Sequence, residues 1–185
     1  MEILLALAIC ALVGAAVGMM LFAMRAATSV DHDTREVTMR REVATARLSR
    51  SVRASARVLS SGPDHLVLWK SDTNGNNLPE LSEVLRLQWI SGSSEVQTCA
   101  APADLDPGLD QTWAMTDDFD ALTSALAGGA LLPSDLLIPE VTAWSVELDD
   151  ADPLAARLVV MRVTVDADSG PSEVTVIAAP RATTG

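Results

Sequence analysis

The chain has 185 residues, a formal net charge of −12, no Tyr, two Phe and four Trp. Its length suits one compact domain beside a stem, with Leu, Val, Ile, Ala and the four Trp left to build the core. Residues 1–57 sum to +3 and residues 58–185 to −15, which excludes nucleic acid as a partner of the acidic part and fits cations or basic partners.

The first element is Ile3 to Ala23, an uncharged run between Glu2 and Arg25. As a helix it would reach about 30 Å, enough to cross a bilayer core. It is too long for a cleaved signal and lacks an A-x-A site, so it reads as a retained transmembrane helix over 1–24. Cys10 lies inside it, so a disulfide with Cys99 is excluded and both cysteines read as small buried hydrophobes. Arg25, Arg35, Arg40 and Arg41 follow the run and nothing basic precedes it. Taken alone, the charge rule would keep the rest of the chain in the cytoplasm; a basic leader upstream would reverse that.

From Thr28 the apolar positions Val30, Val37, Val43, Ala44, Leu48, Val52, Ala56 and Leu59 fall largely on three- and four-residue steps. That spacing predicts an amphipathic stem helix over 25–60, its apolar stripe against a sheet and its Arg face outward. Ser60-Ser61-Gly62-Pro63 stops it. Beyond, the period changes. His65–Lys70, Glu83–Ile90 and Glu95–Ala100 read as strands, and residues 101–118 as loop. Asp118–Ala127 reads as a short helix stopped by Gly128-Gly129, and Val141–Leu148, Arg157–Val165 and Glu173–Ala178 as further strands. The short links predict an antiparallel meander in a β-rich head over 61–185. The expected fold class is therefore α+β, a long N-terminal helix packed on a small antiparallel sheet.

One motif carries metal chemistry. Asp72, Asn74 and Asn76 stand at positions 1, 3 and 5 of a twelve-residue loop, Leu78 offers a carbonyl at 7, Glu80 stands at 9 and Glu83 at 12. This is the oxygen spacing with which an EF-hand-type loop wraps Ca²⁺. Asn77 replaces the usual Gly at position 6 and Pro79 the usual aliphatic at 8. The alternative is an Asn/Gly-rich hairpin turn without metal. The clusters Asp117/Asp118/Asp120, Asp149/Asp150/Asp152 and Asp166/Asp168 read as solvated turns and a helix start. His32 and His65 belong to no catalytic motif, so no enzyme is expected and no catalytic residue is assigned.

The residues Glu2-Ile3-Leu4-Leu5-Ala6-Leu7-Ala8-Ile9 resemble the start of a mature type IV pilin or type II secretion pseudopilin. Met1-Glu2 match the last two positions of that family's T-L-x-E run, while the leader ending in Gly and the first mature residues are absent, as a start codon assigned too late would leave them. Trp69, a polar loop, then Leu85-Arg86-Leu87-Gln88-Trp89 is similar to J-type minor pseudopilins. The resemblance implies a structural subunit in a type II secretion pseudopilus or type IV pilus-like filament. It would sit in the inner membrane with its head in the periplasm, processed by prepilin peptidase where a leader exists upstream. It also implies assembly with other pilins or pseudopilins: Glu2 would meet a neighbouring subunit's N-terminal amine. The small-xxx-small pair Gly14 and Gly18 would let helices approach closely in lipid. The rival reading is a single-pass membrane-anchored binding or sensor protein outside the cytoplasm with a calcium-binding β-rich head.

Overall fold

The computed structural model describes residues 18–20, 38–39, 41–166 and 170–181. The chain divides into two units, Met1–Arg40 and Arg41–Gly185. Of the first, Gly18–Met20 and residues 38–39 are helical; the rest of the apolar run and of the early stem lies outside the described residues. The fold described next is that of the second unit.

That unit corrects the expected fold class. A long N-terminal helix on one small sheet is replaced, among the described residues, by eight strands in two antiparallel sheets with only short helices. The first helix, α1, covers residues 41–54. The strands β1 (Arg57–Ser61), β2 (His65–Trp69), β3 (Val84–Ile90), β4 (Glu95–Ala100) and β5 (Ser134–Ile138) form one sheet in chain order. A second helix, α2 (Phe119–Leu126), lies between β4 and β5, and β6 (Val141–Leu148), β7 (Val159–Val165) and β8 (Ser172–Ala178) form the second sheet, also in chain order.

The helical period read to Leu59 ends five residues earlier for a local reason. Ser51 and Ser55 hydroxyls turn back to donate to the carbonyls of Arg47 and Ser51, and Ser/Thr back-bonding of this kind weakens a helix. The next backbone amide, Ala56 N–H, donates to the Trp69 carbonyl, so the chain has already joined β2. Val58 and Leu59 then serve the two faces of a strand, where β-branched and aliphatic side chains pack well. The hairpin back to β2 turns at Gly62, whose N–H donates to the His65 carbonyl. A Cβ added at Gly62 would come within 2.4 Å of the His65 ring, so any side chain here would have to displace that buried ring.

The five-stranded sheet has two buried faces, each with its own core. On one, Val58, Leu66, Leu68, Leu87 and Val96 meet Ala44, Leu48 and Val52 of α1 and the inner residues of the second sheet, among them Val159, Met161 and Val163. On the other, Leu59, Val67, Trp69, Val84 and Cys99 meet Leu81, Trp113, Leu132 and Phe119 of α2. Alternate residues along β2 and β3 divide cleanly between the two, as the period of a strand requires. The sheet is therefore the middle layer, with α1 and the second sheet on one side and α2 with its loops on the other. All but β1 and β5 are strands that alternation in the sequence predicts; β5, with Ser134, Asp135 and Leu136 exposed, is a polar edge strand.

Candidate functional site

Two groups of polar side chains are built into the α2 side of the sheet, and the loop 72–83 is the first. Asp72 acts as its hub. Its Oδ1 accepts from Gly75 and Asn76 N–H at 2.8 and 3.2 Å, and its Oδ2 accepts from Asn77 N–H at 2.9 Å. Asn74 Oδ1 accepts from Asn76 N–H, and Asn76 Oδ1 from Leu78 N–H. Asn77 takes φ 59°, the left-handed conformation that Asn tolerates in the place of glycine. The sequence spacing thus reports a real turn, wound around one carboxylate.

The remaining residues of the expected metal set point elsewhere. Glu80 Oε1 accepts from the side-chain amides of Asn74 and Asn76, so their nitrogens face it. Glu83 is buried; its Oε2 accepts from Trp69 Nε1 at 3.0 Å, and its Oε1 accepts from the backbone N–H and the hydroxyl of Thr73. Both oxygens are committed to tying the loop to β2. A carboxylate with three donors is well compensated for its burial. Leu78 is exposed. Among the described residues no three His, Cys, Asp or Glu side chains converge as a metal would require; the donor set is Asp72 with amide oxygens.

Lys70 stands beside this site, its backbone N–H on the Glu83 carbonyl. Burial pushes its ammonium below the usual lysine value, against the opposing pull of Glu83 and Asp110. Asp110 in turn accepts from Ser82 N–H and Oγ–H at 2.9 and 2.7 Å. Leu81 N–H and Trp113 N–H pair with the carbonyls of Gln111 and Pro79. The 101–118 loop is thereby stitched onto the end of the 72–83 loop.

The second group was not predicted. Arg86, on β3, and His65, on β2, are both buried and both face Asp120 of α2. Arg86 Nη1 donates to Asp120 Oδ1 at 2.7 Å and to Thr123 Oγ1 at 3.0 Å. His65 Nδ1 lies 3.0 Å from Asp64 Oδ1, and Nε2 lies 3.3 Å from Asp120 Oδ1. The second contact is within ion-pair distance but off line for a hydrogen bond, which leaves Nε2 without a hydrogen-bond partner. The cluster pins α2 to the sheet by charge. Its sequence signal was Arg86, the one charge in a strand that otherwise carries none, a position where an unpaired charge would be too costly to bury.

Of the expected assembly residues, Glu2 and Gly14 lie outside the described residues. Gly18 is helical and exposed, with open space where a Cβ would stand, and Met19 and Met20 beside it are exposed. Among the described residues no helix is long and apolar enough to cross a membrane. His32 also lies outside them. Trp69, Trp113 and Trp144 are buried and Trp89 half-buried, its Nε1–H on the Val141 carbonyl; they are packing residues. Cys99 is a buried free thiol, pushed above its usual pKa by that burial.

No family model, curated protein or solved structure matches this chain.

Proposed function

We propose that the protein is a structural subunit of a pilin-like filament, of the kind a type II secretion pseudopilus or type IV pilus is built from. It is held in the inner membrane by its apolar N-terminal segment, with the β-rich unit outside the cytoplasm. The observation that supports this is the order along the chain, an apolar segment and then α1. The EILLALAI start is followed by a helix that buries Ala44, Leu48 and Val52 in the head and turns Arg41, Arg50 and Arg53 to solvent. The chemistry asked of such a subunit is association, with Glu2, Gly14 and Gly18 as the contacts between N-terminal segments. Other pilins or pseudopilins and the lipid around them are the partners in this reading, and prepilin peptidase acts wherever a leader stands upstream.

The full chain in detergent micelles tests it by sedimentation velocity. Discrete oligomers are expected, reduced to single chains by Gly14→Leu/Gly18→Leu; a wild-type chain that stays monomeric at all concentrations contradicts the reading.

A second reading, a membrane-anchored binding protein with a calcium-binding head, is favoured by the 72–83 loop. Asp72 gathers three successive amides while its Oδ2, accepting only one of them, keeps a lone pair for a cation, and Asn77 supplies the left-handed turn. Calcium would take Asp72, the amide oxygens of Asn74 and Asn76, the Leu78 carbonyl and Glu80, with Glu83 joining only by leaving Thr73 or Trp69. Thermal unfolding with added Ca²⁺ tests it: a rise in Tm that Asp72→Ala abolishes supports the site, and no rise removes it.

A further inference from the structure

Two segments on opposite sides of the middle sheet carry opposite charge. On the α1 side, residues 41–54 hold four Arg against the single acid Glu42. Arg47 is held on the Leu137 carbonyl, whereas Arg50 and Arg53 are exposed and make no ion pair or hydrogen bond with any described residue. Arg181, also exposed, is brought beside them by its backbone N–H on the Ser55 carbonyl. On the α2 side the balance reverses. Residues 101–120, from the end of β4 into α2, contain six Asp and no Lys or Arg. Those between β4 and α2 include the exposed Asp104, Asp106, Asp117 and Asp118.

Two facts of packing keep these fields apart within one molecule. The Arg face lies outside α1, and the Asp loops lie outside the α2 layer, with the five-stranded sheet between them. Layers packed on a sheet stand about 10 Å from it, so the two faces are roughly 20 Å apart. At physiological salt the screening length is about 8 Å. Neither face can neutralise the other in the same chain.

We infer that the Arg face of α1 docks on the Asp-rich α2 layer of a second copy of this chain, head to tail. Charge complementarity selects that partner, and it also selects the geometry. Two Arg faces repel, as do two Asp faces, so a symmetric dimer through either is disfavoured. Opposite faces of one molecule can only be joined as a heterologous contact, which propagates into rings or open filaments. The inference deepens the filament reading and rests on it for its biological setting, while its contact surface is separate from the N-terminal segment.

The test is sedimentation of the full chain in detergent micelles, with folding checked by circular dichroism. Arg50→Glu/Arg53→Glu makes both faces acidic. Asp104→Lys/Thr116→Lys takes the second face from the −4 of its exposed Asp104, Asp106, Asp117 and Asp118 to −1, at exposed positions that carry no hydrogen bond. Raising NaCl from about 50 to about 500 mM weakens association of the wild-type chain about tenfold or more, as expected of a charged contact. Each variant alone loses that salt-sensitive association, and an equimolar mixture of the two regains it, because each now offers the face that the other lacks. Variants that associate like the wild type, or a mixture that fails to recover, overturn the inference. So does an Arg50→Glu/Arg53→Glu chain whose single loss is binding to vesicles of anionic lipid, which would make the Arg face a lipid contact. Salt-insensitive oligomers that only Gly14→Leu/Gly18→Leu removes would leave the filament reading standing and sink this one; salt-sensitive association untouched by those glycine changes would do the reverse.

Discussion

The two sides of the five-stranded sheet are held by different physics. The α1 side is a dry aliphatic layer: a helix and a second sheet close over Leu66, Leu68 and Leu87, and burial of apolar area supplies the cohesion. The α2 side is thinner, made of one short helix and long loops, and buries Glu83, Arg86 and His65 with Trp69 and Trp113. There, apolar burial is joined by polar groups that must each find a partner, since an unpartnered buried charge is costly. The lesson is that a single sheet can be secured by shape on one face and by shape together with specific bonds on the other. Substitutions should therefore fail in different ways on the two sides.

The largest effect is expected on the dry side. Leu48→Ala removes a fully buried side chain between α1 and the sheet, and should cost about 3 kcal/mol through lost transfer energy and the cavity left behind. Chemical denaturation checks this, and a value under about 1 kcal/mol would mean that α1 is not seated as described. On the polar side, Glu83→Ala strips the acceptor from Trp69 and Thr73 and should cost about 2 kcal/mol. The companion Thr73→Val should cost less, because Trp69 keeps its partner. If Glu83→Ala were neutral, the carboxylate would not be what anchors the loop.

Next in size is the α2 anchor. Asp120→Asn leaves Arg86 buried without its carboxylate and should cost about 1–2 kcal/mol, discounted because Asp120 is itself half-exposed. The expected signature is local: amide exchange should speed up in Phe119–Leu126 before the second sheet is affected. Uniform acceleration across both sheets would contradict the division between the sides.

The smallest effect is a pH dependence in the β6–β7 link. Asp149 Oδ1 accepts from the N–H groups of Arg157 and Leu158 at 2.8 and 2.9 Å, and those bonds hold its pKa below the usual 3.8. A lowered folded pKa means that the stabilisation is complete above the unfolded value and is lost as pH falls through the folded one. Asp149→Asn should therefore remove part of the acid sensitivity below about pH 4 and change little at pH 7. Unchanged acid unfolding would show that this loop closes without its carboxylate.

The dry side was the more legible in the sequence. Ala44, Leu48 and Val52 announce their face by spacing, and β2, β3, β4, β6, β7 and β8 follow from alternation and turn residues. The division into two sheets did not, because it depends on which strand edge the chain leaves after β5. Nor did β1: its Val58-Leu59 pair continues the helical spacing of α1, and pairing with β2 overrides that local preference. On the polar side, the spacing of Asp72, Asn74 and Asn76 read as a calcium loop or an Asn/Gly-rich turn, and the structure shows a loop wound on its own side chains. The spacing could not tell that Glu83 turns inward to Trp69, since residues fourteen apart meet only through the hairpin. The Arg86–Asp120–His65 cluster joins three elements separated in sequence; the lone charge of β3 marks Arg86, but no local pattern names Asp120 or His65 as its neighbours.

The central claim is that this chain works by associating with its like. Gly18→Cys in a Cys10→Ser background puts one thiol on an exposed helical position with room for it, Cys99 being buried. Mild oxidation of membranes carrying the full chain, read on a non-reducing gel, is the most direct test. A strong cross-linked dimer that reductant dissolves, weakened by Gly14→Leu, is the predicted result; a monomer band alone would contradict the account.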